Sequence, residues 1–225
     1  MTPEKKSETQ SRWPFFSKGE YAYQLLKEKI ANGYLERNKI YTIVEMAESL
    51  GISRTPVGEA VKILASQNYI ILNQGVGFKV KELSEDDVRE NLMISGALEV
   101  VVLKKIIRDG IQTTGKLEEA VAKSWSAIES QNSELYTQSS AEFHKAFYPI
   151  AALPRVTEIL YANVFMHELW YREAADRNPE GIKRLIEDHE NIISVIKNRA
   201  NDRVDDVISA HVENCAGVLL KVIQD

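Results

Sequence analysis

Between residues 42 and 80 the spacing of apolar positions switches from a helical to a strand-like period, and from residue 85 onward it stays helical to the end of the chain. Thr42 and Glu45 form a T-x-x-E capping pair, Met46, Ala47 and Leu50 supply an apolar side, and Gly51 ends the short helix. A second helix starts at Ser53 or Thr55, with Pro56 in its first turn, where a missing N–H costs little; Val57, Ala60, Val61 and Leu64 then recur at helical spacing. Tyr69–Leu72 and Phe78–Val80 are β-prone runs joined by Asn73-Gln74-Gly75-Val76-Gly77, a hairpin with glycines in the turn. The pattern predicts a winged helix-turn-helix over residues 18–82. Beyond it, Ser84 and Asp87 open a new helix. Helices are expected at about 85–108, 116–131, 133–150, 154–173, 179–198 and 202–223, with breakers at Gly110 and Thr113-Thr114-Gly115, Gln131-Asn132, Leu153-Pro154, Asn178-Pro179 and Ala200-Asn201. With no strand-like alternation among them, residues 83–225 read as an all-α bundle. The fold class is therefore mainly α, and the polar residues 1–17 read as a flexible tail in which Trp13, Phe15 and Phe16 either tuck in or form a sticky patch.

The charge distribution changes the reading of the two halves. The 225 residues carry a net charge of −5. Residues 12–82 hold ten Lys/Arg and seven Asp/Glu, a net +3, whereas residues 83–225 hold sixteen and twenty-four, a net −8. A mildly basic module thus precedes an acidic one, and a helix-turn-helix with a wing has the shape to enter DNA grooves, its second helix in the major groove. The single cysteine, Cys215, rules out an internal disulfide and sits on an apolar helical stripe, where it reads as a core residue. No apolar run approaches the ~20 residues that span a bilayer, and the N-terminal segment lacks a signal-peptide core. A cytoplasmic location is expected.

Tyr23 and Leu26, then Gly51-Ile52-Ser53-Arg54-Thr55-Pro56-Val57, Glu59-Ala60-Val61 and the wing Gly75-x-Gly77-Phe78-x-Val80, resemble the GntR family of bacterial transcription regulators over about a quarter of the chain. The resemblance implies binding to double-stranded operator DNA as a homodimer, with a ligand-sensing C-terminal domain. The candidate DNA contacts are Thr42, Ser53, Arg54 and Thr55 at the two helix starts and Gln74, Gly75 and Lys79 in the wing. Where the family places further arginines this chain has Val44, Gly58 and Val76. A bidentate Arg–guanine contact contributes about 1–3 kcal/mol of discrimination, so an atypical operator or weakened DNA binding is expected.

Three of the four histidines lie on the apolar sides of separate helices: His144 with Phe143 and Phe147, His189 among Ile182, Leu185, Ile186, Ile193 and Ile196, and His211 among Val204, Val207, Ile208, Cys215 and Val218. Taken singly, each is a core histidine. The turn near Ala200 is eleven residues from both His189 and His211, so an antiparallel hairpin sets the two imidazoles at one level. Three neutral imidazoles around a divalent cation, with positions left open, are sound coordination chemistry; Zn, Ni, Mn and Fe are all admissible. Here the C-terminal region resembles the FCD effector domain of the FadR branch of GntR regulators, a bundle of six or seven helices in which many members hold a metal through an Asp and three His. That resemblance makes His144, His189 and His211 the metal ligands and puts Ser140 at the place of the Asp, as a direct contact or through a water. It also puts Ser95 where the family often carries an arginine in an R-x-x-L-E context. Ser95, Tyr148 (one turn after His144) and Arg155 are the expected wall of a pocket for a small-molecule effector, a carboxylate metabolite in many relatives. His167, near Trp170 and Tyr171, reads as structural or surface.

The reading that follows is a ligand-responsive regulator, most simply a repressor, whose short linker from Lys81 to Glu85 couples sensor to DNA reader. The alternative is a metal-dependent hydrolase fused to a winged helix, since three histidines can activate a bound water. Against it stands the lack of a general base one turn from a ligand, of HExxH and of any phosphate-binding glycine motif. No enzymatic activity is expected.

Overall fold

The computed structural model describes residues 17–31, 33–37, 39–82 and 84–224, without the side chains of residues 31 and 164–170. The N-terminal tail with Trp13, Phe15 and Phe16, and the side chain of His167, lie outside the described residues. The chain divides into two compact units, Met1–Glu82 and Leu83–Asp225.

In the first unit α1 (Lys18–Ala31), α2 (Ile43–Leu50) and α3 (Arg54–Ser66) precede a hairpin of β1 (Ile70–Asn73) and β2 (Gly77–Val80). Helix α3 packs against α1, α2 and β1. Leu26, Val57, Ala60, Leu64 and Phe78 close the small core. The strands pair antiparallel, with Ile70 opposite Val80 and Asn73 opposite Gly77. Both ends of α2 are fixed chemically. Thr42 accepts from Glu45 N at 3.1 Å, while its own backbone N–H and hydroxyl donate to the Glu45 carboxylate at 2.7 and 2.9 Å. At the other end Gly51 takes the left-handed conformation, φ 65°. The Thr42 hydroxyl is thus engaged in the cap. Thr42→Ala is expected to destabilise the protein by about 1 kcal/mol, measurable by urea unfolding.

One part of this unit has no counterpart in the sequence reading. Tyr41 forms a one-residue bridge to Phe78, with hydrogen bonds of 2.8 Å in both directions. It passes so close to β2 that a Cβ on Gly77 (φ 149°) would lie 2.2 Å from Tyr41 O.

Among the described residues the second unit is a bundle of six α-helices: α4 (Glu85–Arg108), α5 (Gly115–Glu129), α6 (Ser133–Phe147), α7 (Pro154–Arg177), α8 (Pro179–Asn198) and α9 (Val204–Gln224). Helix α9 packs against α4, α7 and α8, α6 lies between α5 and α7, and α5 also meets α8. Ser84 and Asp87 cap α4 reciprocally. Gln131 turns the chain with φ 54°, and Asn132 then caps α6 by accepting from Leu135 N at 2.9 Å. Helix α4 approaches α9 closely at Gly96, where a Cβ would stand 2.6 Å from Val212 Cγ2.

The helix expected over 133–150 ends sooner. It stops at Phe147, and Tyr148–Ala151 form a tighter 3-10 turn. Pro149 has no N–H to give to the carbonyl one turn back, and its ring crowds that carbonyl. The Lys145 carbonyl so released accepts from the Tyr161 hydroxyl at 2.9 Å. Helix α7 runs on to Arg177, four residues past its expected end. No helix among the described residues is long and apolar enough to cross a membrane.

Candidate functional site

Two places carry candidate chemistry. On the first unit, Ser53 stands at the N-cap of α3 without a side-chain cap bond, and Ser53, Arg54 and Thr55 are all exposed. Gln74, Gly75 and Val76 are exposed at the turn of the wing, and Lys79 is half-buried on β2. The three positions where the resemblance would place arginines are an exposed Val44, a half-buried Gly58 and an exposed Val76. A Cβ on Gly58 would rest 3.6 Å from Ile43 Cδ1, so this part of α3 is covered by an apolar neighbour.

On the second unit the three helical histidines meet. His144 comes from α6, His189 from α8 and His211 from α9, and one ring nitrogen of each lies within 4.8 Å of the other two. The ring centroids stand 4.9 Å (His144–His189), 5.2 Å (His189–His211) and 5.9 Å (His144–His211) apart. Periodicity puts each ring on the buried side of its helix, and the α8–α9 hairpin brings His189 and His211 level. His189 is 2% exposed and His211 4%. His189 also stacks on Phe143, centroid to centroid 4.0 Å with the planes 7° apart.

The partners of these rings differ. His144 Nδ1 lies 3.0 Å from the Tyr148 hydroxyl and 3.5 Å from Glu99 Oε1. His211 Nδ1 lies 3.5 Å from Asp188 Oδ2, with the Cys215 sulfur 3.7 Å from its Nε2. Neither nitrogen of His189 has a hydrogen-bond partner among the described residues. Burial, reinforced by the charges of His144 and His211, drives the His189 pKa well below the ordinary histidine value, so its ring is neutral. Burial also pulls on His211, but the Cys215 sulfur, the Asp188 carboxylate and Glu99 outweigh it and hold its pKa well above ordinary. Glu99 is raised by its complete burial, against the attraction of His211 and the hydrogen bond from Tyr148.

Ser95, Gly96, Glu99, Tyr136, Ser140 and Cys215 help to wall the chamber. Its volume is about 20 Å³, room for about one water-sized guest. Ser95 is buried and accepts from Asn163 Nδ2 at 3.3 Å. Tyr148 reaches the rings through His144, as its spacing of one turn suggests. Arg155 does not: it is exposed in the first turn of α7 and takes no part in the chamber. Cys215 is buried, as read, but it faces the chamber rather than a purely apolar core.

The sequence reading gives neither Glu99 nor Asp188 a role at the site. Glu99 falls on the stripe Val88, Leu92, Ser95, Glu99, and a carboxylate at such a position is the signal that was open to it. Asp188, next to His189 in sequence, points away from that ring and reaches His211 on the neighbouring helix.

The donor set suits a divalent transition metal. Three imidazoles fit Zn, Ni or Fe, and a buried ring with both nitrogens unpartnered fits a group that has still to use one of them.

Residues 18–80 match the model of the bacterial regulatory proteins of the gntR family, and residues 94–214 match the FCD domain, more than half of the chain. The chain belongs to the GntR family, with an FCD effector domain. It is a DNA-binding transcription regulator. It is 27% identical over 207 residues to the Uxu operon regulator of Haemophilus influenzae (85% of this chain, 77% of the relative). It is 26% identical to the gluconate operon transcriptional repressor of Bacillus subtilis (84% and 79%). Among solved structures, Escherichia coli McbR/YncC matches with a TM-score of 0.78 at 20% identity, covering 92% of this chain and 99% of that one. A GntR regulator from Rhodococcus sp. RHA1 matches at 0.74 and 14% identity, with similar coverage. These likenesses at low identity establish the shared fold.

Proposed function

We propose that this GntR regulator is a cytoplasmic homodimeric repressor that reads its operator through the start of α3 and the wing, and that a divalent ion at His144, His189 and His211 is part of its ligand response. The observation that carries the sensor half is the convergence of three imidazoles, one of them buried with neither nitrogen partnered. An unsatisfied buried polar group costs about 1–3 kcal/mol, and coordination of an ion removes that cost. When bound, the ion supplies a Lewis-acidic centre for an outside oxygen donor; Zn, Ni and Fe are all compatible with the ligands.

Ser140 lines the chamber where the family's carboxylate would stand, which leaves a position for that outside donor. A small carboxylate suits it, and one relative is named as the repressor of a gluconate operon. The chamber, at about 20 Å³, takes the ion and little more, so a whole metabolite has to part α4 from α9 or α8. That movement is the difference between states on which a ligand can act. Ser95 in place of the family arginine removes the usual cationic anchor, and the exposed Arg155 does not replace it.

On the DNA side, Arg54 is the single family arginine kept at the head of α3. Arg54→Ala is expected to weaken binding to DNA flanking the protein's own gene by at least tenfold, read by mobility shift at fixed salt. Wild-type affinity in that variant would contradict the assignment. Zinc is expected to change the wild-type operator affinity by about 5–150-fold, the usual range of allosteric coupling. An affinity ratio of one with and without zinc, and with added small carboxylates, would contradict the sensor reading.

A further inference from the structure

Two buried carboxylates stand behind the histidines, and neither comes from the position where the family pattern puts one. Each reaches its ring through contacts with one consistent hydrogen-bond direction. On one side, Tyr148 donates its only hydroxyl hydrogen to Glu99 Oε1 at 2.6 Å. The same phenol oxygen lies 3.0 Å from His144 Nδ1, so the hydrogen in that contact comes from the imidazole. On the other side, Asn214 Nδ2 donates to Asp188 Oδ2 at 2.9 Å, and His211 Nδ1 lies 3.5 Å from that oxygen. An ionised carboxylate only accepts, so the His211 ring is again the donor. With an ion bound, both rings would keep their hydrogen on Nδ1 and turn the lone pair of Nε2 to it, the proton that His211 otherwise carries there being released.

We propose that Glu99 and Asp188 are positioning residues of the chamber, and that their charges, one shell back from the ion, replace the carboxylate that Ser140 does not supply. The inference rests on the reading of the chamber as a divalent-ion site. Two carboxylates, one on α4 and one on α8, balance the charge of a divalent ion. The first shell then consists of three neutral imidazoles and keeps its remaining positions for an outside donor. His189, which has no such partner, is oriented by its stack on Phe143 instead. Histidine ligands of metals usually give their second N–H to a carboxylate or carbonyl, and losing that partner costs about 10–100-fold in metal affinity.

The test is the Zn²⁺ affinity of the full-length protein, measured by competition with a chromogenic chelator. Glu99→Gln and Asp188→Asn keep shape and remove charge. Each is expected to bind Zn²⁺ about 10–100-fold more weakly than wild type. The double variant Glu99→Gln/Ser140→Asp, which returns a carboxylate to the first shell, is expected to regain most of the loss. With Co²⁺ in place of zinc, Glu99→Gln is expected to leave the positions of the visible absorption bands unchanged, since Glu99 is not itself a ligand. Melting of the metal-free variants separates folding from binding: a merely structural role lowers the melting temperature and leaves zinc affinity alone. Equal zinc affinities in wild type, Glu99→Gln and Asp188→Asn overturn the proposal, as does a Co²⁺ spectrum altered by Glu99→Gln. A wild type that takes up no Zn²⁺ overturns the ion reading itself, and this inference with it.

Discussion

Replacing His189 by leucine is expected to make the metal-free protein more stable, by about 1–3 kcal/mol, while abolishing its stabilisation by zinc. The two halves have one cause. The imidazole is 2% exposed and neither nitrogen finds a hydrogen-bond partner among the described residues. A buried polar group in that state costs about 1–3 kcal/mol. Protonation offers no escape, because burial and the neighbouring histidines hold the pKa well below the ordinary value. Leucine has a similar volume and needs no partner, so the repacking cost is small. Zinc present at about a hundred times its dissociation constant stabilises the wild type by about 2.7 kcal/mol, and the variant gains none of it. Urea unfolding of both proteins, with chelator and with zinc, reads all four values. A metal-free variant less stable than wild type would mean that the stack on Phe143, at 4.0 Å, is worth more than the unsatisfied nitrogens cost. A variant that zinc still stabilises would remove His189 from the ligand set.

The second large effect lies in the wing. Gly77→Ala is expected to destabilise the DNA-binding unit by about 3 kcal/mol or more, and to cost operator binding with it. Two penalties add. A backbone with φ 149° is strained for any residue that carries a Cβ, by about 1–3 kcal/mol. The added carbon would also stand 2.2 Å from Tyr41 O, a backbone atom that moves only if the Tyr41–Phe78 bridge breaks. Gly75 is the control. It has φ 74° but nothing within 4 Å, so Gly75→Ala carries the strain without the clash, about 1–2 kcal/mol. Unfolding and mobility-shift measurements on the two variants are expected to rank them in that order. Equal effects would mean that the approach of Tyr41 to β2 does not matter.

The contrast between these glycines also shows what periodicity reveals. A G-x-G in a hairpin predicts a turn, and the turn is there. That the second glycine serves a third strand segment, one residue long, leaves no trace in a pattern of apolar positions. The histidines behave similarly. His189 and His211 are legible because two adjacent helices joined at Ala200 have arms of equal length, which turns sequence distance into height. That His144 joins them depends on how α6 packs, and spacing says nothing about that; only the family resemblance points to it. Glu99 and Asp188 acquire their chemistry across helix boundaries, Glu99 through Tyr148 and Asp188 through His211. A single helix cannot announce such a partner. Arg155 shows the reverse error, since nearness to Pro154 and to the chamber helices along the chain does not fix the radial direction of a side chain. Pro149 was a breaker in plain view, and it shortens α6 by the local chemistry that governs prolines elsewhere.

Crystals of the full-length protein grown with zinc test directly the proposed ion between the three buried imidazoles. Anomalous difference maps recorded at the zinc edge are predicted to show one strong peak per protomer, about 2.0–2.1 Å from Nε2 of His144, His189 and His211. A map without that peak, or with zinc bound only at surface carboxylates, would contradict the account.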